Sequence, residues 1–295
     1  MAETIKREVA EEVKTLSFQP CLAVVRVGED EASAVYVGNK VKTCNELGIK
    51  SEHLHLSAET TQIELLKVVG ELNSRKDVDG ILVQLPLPKH IDEKTILDAV
   101  SPEKDVDGFN PISVGKLSTG QKSLLPCTPA GVIEILRYYK IEMSGKHAVV
   151  VGRSNIVGKP LAMLLLQNDA TVTICHSRTK NLAEITTQAD VLIAAIGRAG
   201  FIKSEHIKTG ATVIDVGINK VSDVEFAKEL FDKNELEKRL STIEKRGFTL
   251  VGDVNPKDAM LKAGKFTPVP GGVGLLTIAM LMKNTIQAAK MRREN

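Results

Sequence analysis

Short apolar runs rich in β-branched residues alternate with helix-patterned stretches along most of the chain, and this alternation constrains the fold most. It is the pattern of βαβ units on a parallel sheet. The run at 21–27, CLAVVRV, is apolar on both faces and so belongs inside such a sheet. A helix is expected over 31–47, ended by Gly48, then a strand near 53–56, a helix over 63–72 and a strand at 80–85. Pro86 and Pro88 stop that strand, because proline cannot donate to a central ladder. After a polar loop at 101–110, the segment PCTPA offers Thr128 as an N-cap and Pro129 as a first helical residue. A second series has strands near 147–151, 171–175, 191–195, 212–216 and 249–251, and the chain closes with a helix over 275–290. The breaks fall near residues 127 and 268, and the last helix is expected to return to the first domain.

Other classes of function find little support. The 295 residues suffice for two domains, and 43% apolar content argues against disorder. With 39 basic against 37 acidic residues and 3% aromatics, neither a phosphate-binding patch nor a base-stacking surface is indicated, so no nucleic-acid partner is expected. Cys21, Cys44, Cys127 and Cys175 form no C-x-x-C pair and read as reduced cytoplasmic thiols. The first residues lack a signal-peptide core, and the apolar stretch at 274–282 is too short for a bilayer. The six histidines show no metal-ligand spacing, and Asp105 with Asp107 would supply too few ligands.

The strand–turn–helix at 149–160, VVVGRSNIVGKP, is the context in which glycines admit a pyrophosphate to backbone and helix amides. Gly152 and Gly158 do not follow G-x-G-x-x-G, so an ordinary βα turn stays open as an alternative. The next strand ends in Cys175-His176-Ser177-Arg178, with no carboxylate for an NAD ribose. Arg153 and Ser177 can instead meet a 2′-phosphate, and solvated surface charges are an equal alternative for Arg153 and Arg178.

In the first half, Tyr36 and Lys40 stand one helical turn apart beside the apolar stripe Val37, Val41 and Cys44. A tyrosine ring there can support a heteroaromatic substrate, and a desolvated lysine can exchange protons near neutrality. A surface lysine packed on a tyrosine is the bland alternative. Gln84 ends a strand, where it can orient a lysine or a carbonyl, or serve the interrupted ladder. Asp107 can accept from a pterin or cap its loop, and the glycines of 268–274, PVPGGVG, permit close ligand approach.

Taken together and in order, YVGNK, GILVQLPLP, PEKDVDGFN, PCTPAG, VVVGRSNIVGKP, TVTICHS, IDVGIN, GDVNP and TPVPGGVG resemble the bifunctional methylenetetrahydrofolate dehydrogenase/methenyltetrahydrofolate cyclohydrolase family over nearly the whole chain. The resemblance implies two α/β domains with a cleft between them. One is a parallel-sheet catalytic domain that binds folate, 1–127 plus 269–295; the other is a Rossmann-like NADP-binding domain, 128–268. It implies oxidation of 5,10-methylenetetrahydrofolate with NADP, NAD being second choice, followed by hydrolysis to 10-formyltetrahydrofolate. Lys40, Gln84 and Tyr36 match the catalytic positions. Tyr36, Asp107, Pro270, Gly271 and Gly272 match substrate positions, and Thr128, Gly152, Arg153, Ser154, Ser177 and Ile218 match cofactor positions. No metal is implied; a homodimer is, and the cysteines make a cytoplasmic location the expectation. The chain departs from the family in a short N-terminus, in Leu275 and Leu276 after the last glycine of the closing loop, and in Asn255 where an acid is common. Two rivals remain at this level: a related dehydrogenase on another substrate without the hydrolase step, and an inactive nucleotide-binding regulator.

Overall fold

The computed structural model describes residues 1–293. They form two compact units, 1–127 with 276–293, and Thr128–Leu275. Residues 269–275, which the sequence reading gives to the first domain, cluster with the second unit.

The first unit opens with α1 (Ala2–Thr15), and continues through β1 (Cys21–Val27), α2 (Glu31–Glu46), β2 (Lys50–Leu56), α3 (Gln62–Ser74), β3 (Gly80–Val83), α4 (Glu93–Ala99) and α5 (Pro111–Ser118). Its three strands are all parallel, in the order β2-β1-β3, with Val24 opposite His53 on one side and Leu82 on the other. Every residue of β1 is buried, as a central parallel strand requires. Ala23, Val25 and Val27 pack with Leu65, Val69 and Leu72 of α3. That helix starts with a reciprocal capping box between Thr61 and Glu64, an arrangement worth about 1 kcal/mol. β3 stops at Val83, two residues before the expected end. Gln84 N still donates to Val25 O at 2.8 Å, and the chain then leaves through the cis Leu85–Pro86 peptide, where proline has no N–H to give.

The second unit comprises α6 (Cys127–Tyr138, whose first residue belongs to the first unit), β4 (His147–Val151), α7 (Gly158–Gln167), β5 (Thr171–Cys175), α8 (Leu182–Thr186), β6 (Val191–Ala194), β7 (Thr212–Asp215), β8 (Asn219–Val221), α9 (Val224–Leu230), α10 (Lys233–Arg246), β9 (Thr249–Val251), α11 (Pro256–Lys262) and β10 (Lys265–Phe266). Five strands make a parallel sheet ordered β10-β7-β6-β4-β5. The order reverses between β4 and β6, and open sheets of this kind bind ligands at such a switch point, beyond the carboxyl ends of the strands. β9 does not extend this sheet; it pairs antiparallel with β8. Thr128 is not an N-cap, since α6 is already helical at Cys127. Pro129 consequently falls in the first turn, where its missing N–H costs nothing. The closing helix, α12 (Val273–Arg293), starts two residues earlier than expected and supplies its last eighteen described residues to the first unit, 276–293. Among the described residues, no helix is long and apolar enough to cross a membrane.

Candidate active site

In the first unit, α2 places Tyr36 and Lys40 on one side. Val37 and Cys44, both fully buried, anchor the helix, and Val41 is half-buried. Asp30 caps it by accepting from Ser33 N at 2.7 Å. Tyr36 is 43% exposed, so its ring is open to a ligand. Lys40 is half-buried, and its Nζ donates to Gln84 Oε1 at 2.9 Å. Gln84 in turn donates through Nε2 to Leu85 O at 2.6 Å. This glutamine therefore holds the lysine and serves the backbone at the end of β3. It sits at the carboxyl end of a parallel strand, where the sheet has no further ladder bonds to make.

Asp107 lies in the loop before α5. Burial pushes its carboxyl up, and the Lys40 charge pulls it back down. The two groups are thus close enough to sense one another. Neighbouring Asp105 has another job. It is buried and accepts from Asn110 N at 2.7 Å; burial raises it to about 6. The loop is fixed from α12 as well, where Asn284 Nδ2 donates to Val106 O and Leu125 O, both at 2.8 Å. Sequence reasoning missed Asn284, because a lone asparagine in a helix carries no local signal. Among the described residues no cluster of three or more acidic, histidine or cysteine side chains could hold a metal.

The remaining expected residues all belong to the second unit. Gly152, with φ of +130°, follows β4, and a Cβ there would overlap Ala195 O. Gly158 opens α7 and has no room for a side chain against Gly152 O. The turn after β4 and the loop after β6 therefore touch backbone to backbone at the switch point. Ser154 Oγ accepts from Val157 N and Gly158 N at 3.2 and 3.3 Å, tying the turn to the start of α7. Arg153, Ser177 and Arg178 are exposed at the same end of the sheet, with His176 beside them half-buried. Nothing between Cys175 and Asn181 is acidic. Glycines a Cβ would jam, a helix amino end and an exposed arginine and serine fit a phosphorylated dinucleotide. Thr128 is half-buried in α6, and Ile218 is 45% exposed between β7 and β8. Pro270, Gly271 and Gly272 lie in the loop before α12, where Arg239 Nη2 donates to Val269 O at 3.0 Å. Leu275 and Leu276 differ: the first is 57% exposed and the second buried.

Two buried carboxylates stand out that sequence reading did not select. Asp253 takes the amides of Ile196, Gly197 and Arg198 at 2.6, 3.0 and 2.7 Å, and Asn219 Nδ2 at 3.0 Å. Asp215 takes the amides of Gly217, Asp253 and Val254 at 3.0, 2.9 and 2.9 Å. The available signal was an acid ending or following an apolar run beside a glycine, in IDVG and GDV.

Residues 1–107 match the tetrahydrofolate dehydrogenase/cyclohydrolase catalytic domain, and residues 126–293 match the NAD(P)-binding domain of the same family. The bifunctional protein FolD of Koribacter versatilis is 57% identical over 295 residues, covering 99% of this chain and 95% of that protein. The crystal structure of the bifunctional FolD methylenetetrahydrofolate dehydrogenase/cyclohydrolase from Campylobacter jejuni is similar at a TM-score of 0.88 and 44% identity, over 99% of this chain and 96% of that one. The Trypanosoma brucei dehydrogenase-cyclohydrolase, solved with NADP cofactor and inhibitor, gives 0.87 and 37%, over 98% and 95%.

Proposed function

The chain belongs to the tetrahydrofolate dehydrogenase/cyclohydrolase family, and from that premise we propose that it oxidises 5,10-methylenetetrahydrofolate with NADP and hydrolyses the product to 10-formyltetrahydrofolate. The observation that carries the chemistry is the Lys40–Gln84 hydrogen bond at 2.9 Å with Asp107 in electrostatic reach.

The first unit is the folate-binding catalytic domain in this reading, and the second binds the dinucleotide. Asp107 accepts from the pterin's N–H donors, and Tyr36 lies flat on the heterocycle. Pro270, Gly271 and Gly272 contribute close backbone approach. Arg153 and Ser177 hold the 2′-phosphate, while Gly152, Ser154, Thr128 and Ile218 line the rest of the dinucleotide. NADP, when bound, supplies the acceptor for the hydride that leaves the methylene carbon. In the hydrolase half, water adds to the methenyl carbon and loses a proton to Lys40 Nζ. N5 then takes that proton from Lys40 as its bond to the carbon breaks, the hydroxyl releases its remaining proton to solvent as the carbonyl forms, and the formyl group stays on N10. Gln84 Oε1 keeps Nζ aimed throughout. Holding the groups in place supplies much of such catalysis, because orientation replaces a search in solution.

A homodimer through the second unit is supported by β5, the edge strand of its sheet, with Ile174 and Leu166 exposed at 40% and 64%. A monomer by sedimentation at micromolar concentration would remove it. Cytoplasmic residence is supported by the four cysteines, all buried and free, and fractionation of the host cell tests it. The main test is ultraviolet absorbance of the purified protein with methylenetetrahydrofolate and either dinucleotide, followed by hydrolysis of added methenyltetrahydrofolate. NADP-dependent oxidation and hydrolysis are both expected; oxidation without hydrolysis favours a plain dehydrogenase, and neither activity favours an inactive nucleotide-binding protein.

A further inference from the structure

Two buried carboxylates of the second unit lie together, Asp215 Oδ1 accepting from Asp253 N at 2.9 Å. Asp253 is fully buried, yet four N–H donors from two separate segments converge on its carboxylate. Three of them are the successive amides of residues 196–198, in the loop that leaves β6. Its neighbour Ala195 is the residue whose carbonyl leaves Gly152 no room for a side chain. Asp253 is itself held through its own amide by Asp215, which also takes Gly217 N in the turn leading to Ile218. The surroundings are built to admit these two carboxylates and nothing larger. A Cβ on Gly217 would overlap Asp253 Oδ1, and one on Gly252 would overlap Asp215 Oδ2. Loops after β6, β7 and β9 are thereby tied together at the carboxyl end of the sheet, beside the switch point.

We infer that Asp253, backed by Asp215, is a positioning residue for the dinucleotide: it fixes the 195–198 loop against the phosphate-binding turn. The inference rests on the function proposed above. An amide that donates to a buried carboxylate cannot swing out to water or to a ligand, so the loop keeps one conformation before the dinucleotide arrives. Binding is then spared the cost of ordering it. The network touches neither Lys40 nor Gln84, so the hydrolase half does not draw on it.

Amide exchange on the wild-type enzyme is the first measurement. Ile196, Gly197 and Arg198 lie outside any strand, and they should nevertheless exchange as slowly as amides in β6. Exchange at the rate of open loop amides overturns the inference. Asp253→Asn keeps the shape but swaps acceptor oxygen for an NH2 group. In a folded variant the KM for NADP should rise about tenfold or more, the worth of one hydrogen bond to a charged group. The dehydrogenase kcat should change less, and methenyltetrahydrofolate hydrolysis measured without dinucleotide should keep its wild-type rate. Parallel loss of both activities would make the role merely structural, and an unchanged KM would abolish it. If Asp253→Asn does not fold, Asn219→Ala decides. It removes one half-exposed donor, the KM should rise by a factor of about three, and no change counts against the inference. Calorimetric NADP affinity of the same proteins keeps the question separate from catalysis: an enzyme inert towards methylenetetrahydrofolate sinks the function, while the affinity still reports the loop.

Discussion

In the proposed function, Lys40 carries the hydrolase half and Ser177 the choice of dinucleotide. Lys40 is half-buried and has a side-chain partner 44 positions away in Gln84. Methionine has a similar length and apolar stem, so Lys40→Met should leave the unit folded and remove hydrolysis of methenyltetrahydrofolate. General acid–base groups contribute about 10²–10⁴-fold, so a hundredfold loss is the least expected. Wild-type hydrolysis in a folded variant ends the role assigned to Lys40. Ser177 is exposed, just past the end of β5, with no acid nearer in sequence than Glu184 or Asp169. Ser177→Asp puts a carboxylate where a 2′-phosphate would lie, and a carboxylate accepts well from a ribose 2′-hydroxyl. The ratio of kcat/KM for NADP over NAD should fall by about two orders of magnitude, the worth of one charged contact. An unaltered ratio would mean the phosphate is held elsewhere.

At the level of elements, Lys104 shows how a buried charge can fasten a helix. It is 3% exposed, and its ammonium donates to Leu72 O, Asn73 O and Arg75 O at 2.9, 2.8 and 2.6 Å. Those carbonyls lie at the end of α3, where a helix has acceptors without intrahelical partners. Burial lowers the lysine to about 8, which still leaves it charged at neutral pH. Lys104→Met keeps the stem and strips all three donors. The first unit should lose about 3 kcal/mol, since carbonyls stay behind without the charged partner they were folded around. Urea unfolding measures this, and a change under about 0.5 kcal/mol would show that water replaces the ammonium freely. The end of α12 is tied by a comparable device: Asp79, fully buried, pairs with Arg292 and Arg293 and accepts from Cys21 N.

Over the whole molecule, buried acids should leave a mark on the pH dependence of stability. Burial raises Asp215 to about 7 and Asp105 to about 6, against an unfolded value of about 3.9. Between roughly pH 4 and 7 the folded chain therefore holds protons the unfolded chain has released. These two acids make stability fall as pH rises through that window. His53 and His206, lowered by burial, act in the opposite sense below about 6.5, and Asp77, lowered to about 2 by Arg75, matters only in stronger acid. The contribution of Asp215 is isolated by comparing wild type with Asp215→Asn. From pH 4.5 to 8 the difference should move in favour of the asparagine variant by about 3 kcal/mol. A difference that stays flat with pH would show that Asp215 ionises alike in both states.

The sequence by itself determined the class of fold and the family. Apolar period and β-branched content report burial and local backbone preference, and parallel strands between helices leave few ways to connect. Motif order added the chemistry, because glycines and acids at strand ends are where such sheets bind ligands. Element ends were less legible: β3 stops two residues early and Thr128 lies inside α6, since which N–H groups are paired depends on neighbours the pattern does not name. Strand order was hidden for the same reason, and β9 pairs with β8 rather than with the main sheet. Only tertiary structure could bring Lys40 to Gln84, or Lys104 to the end of α3. It alone set Asp253 beneath three amides more than fifty residues away. These contacts run from side chains to groups distant along the chain, and their energy exists only once packing has excluded the water that would otherwise satisfy each partner.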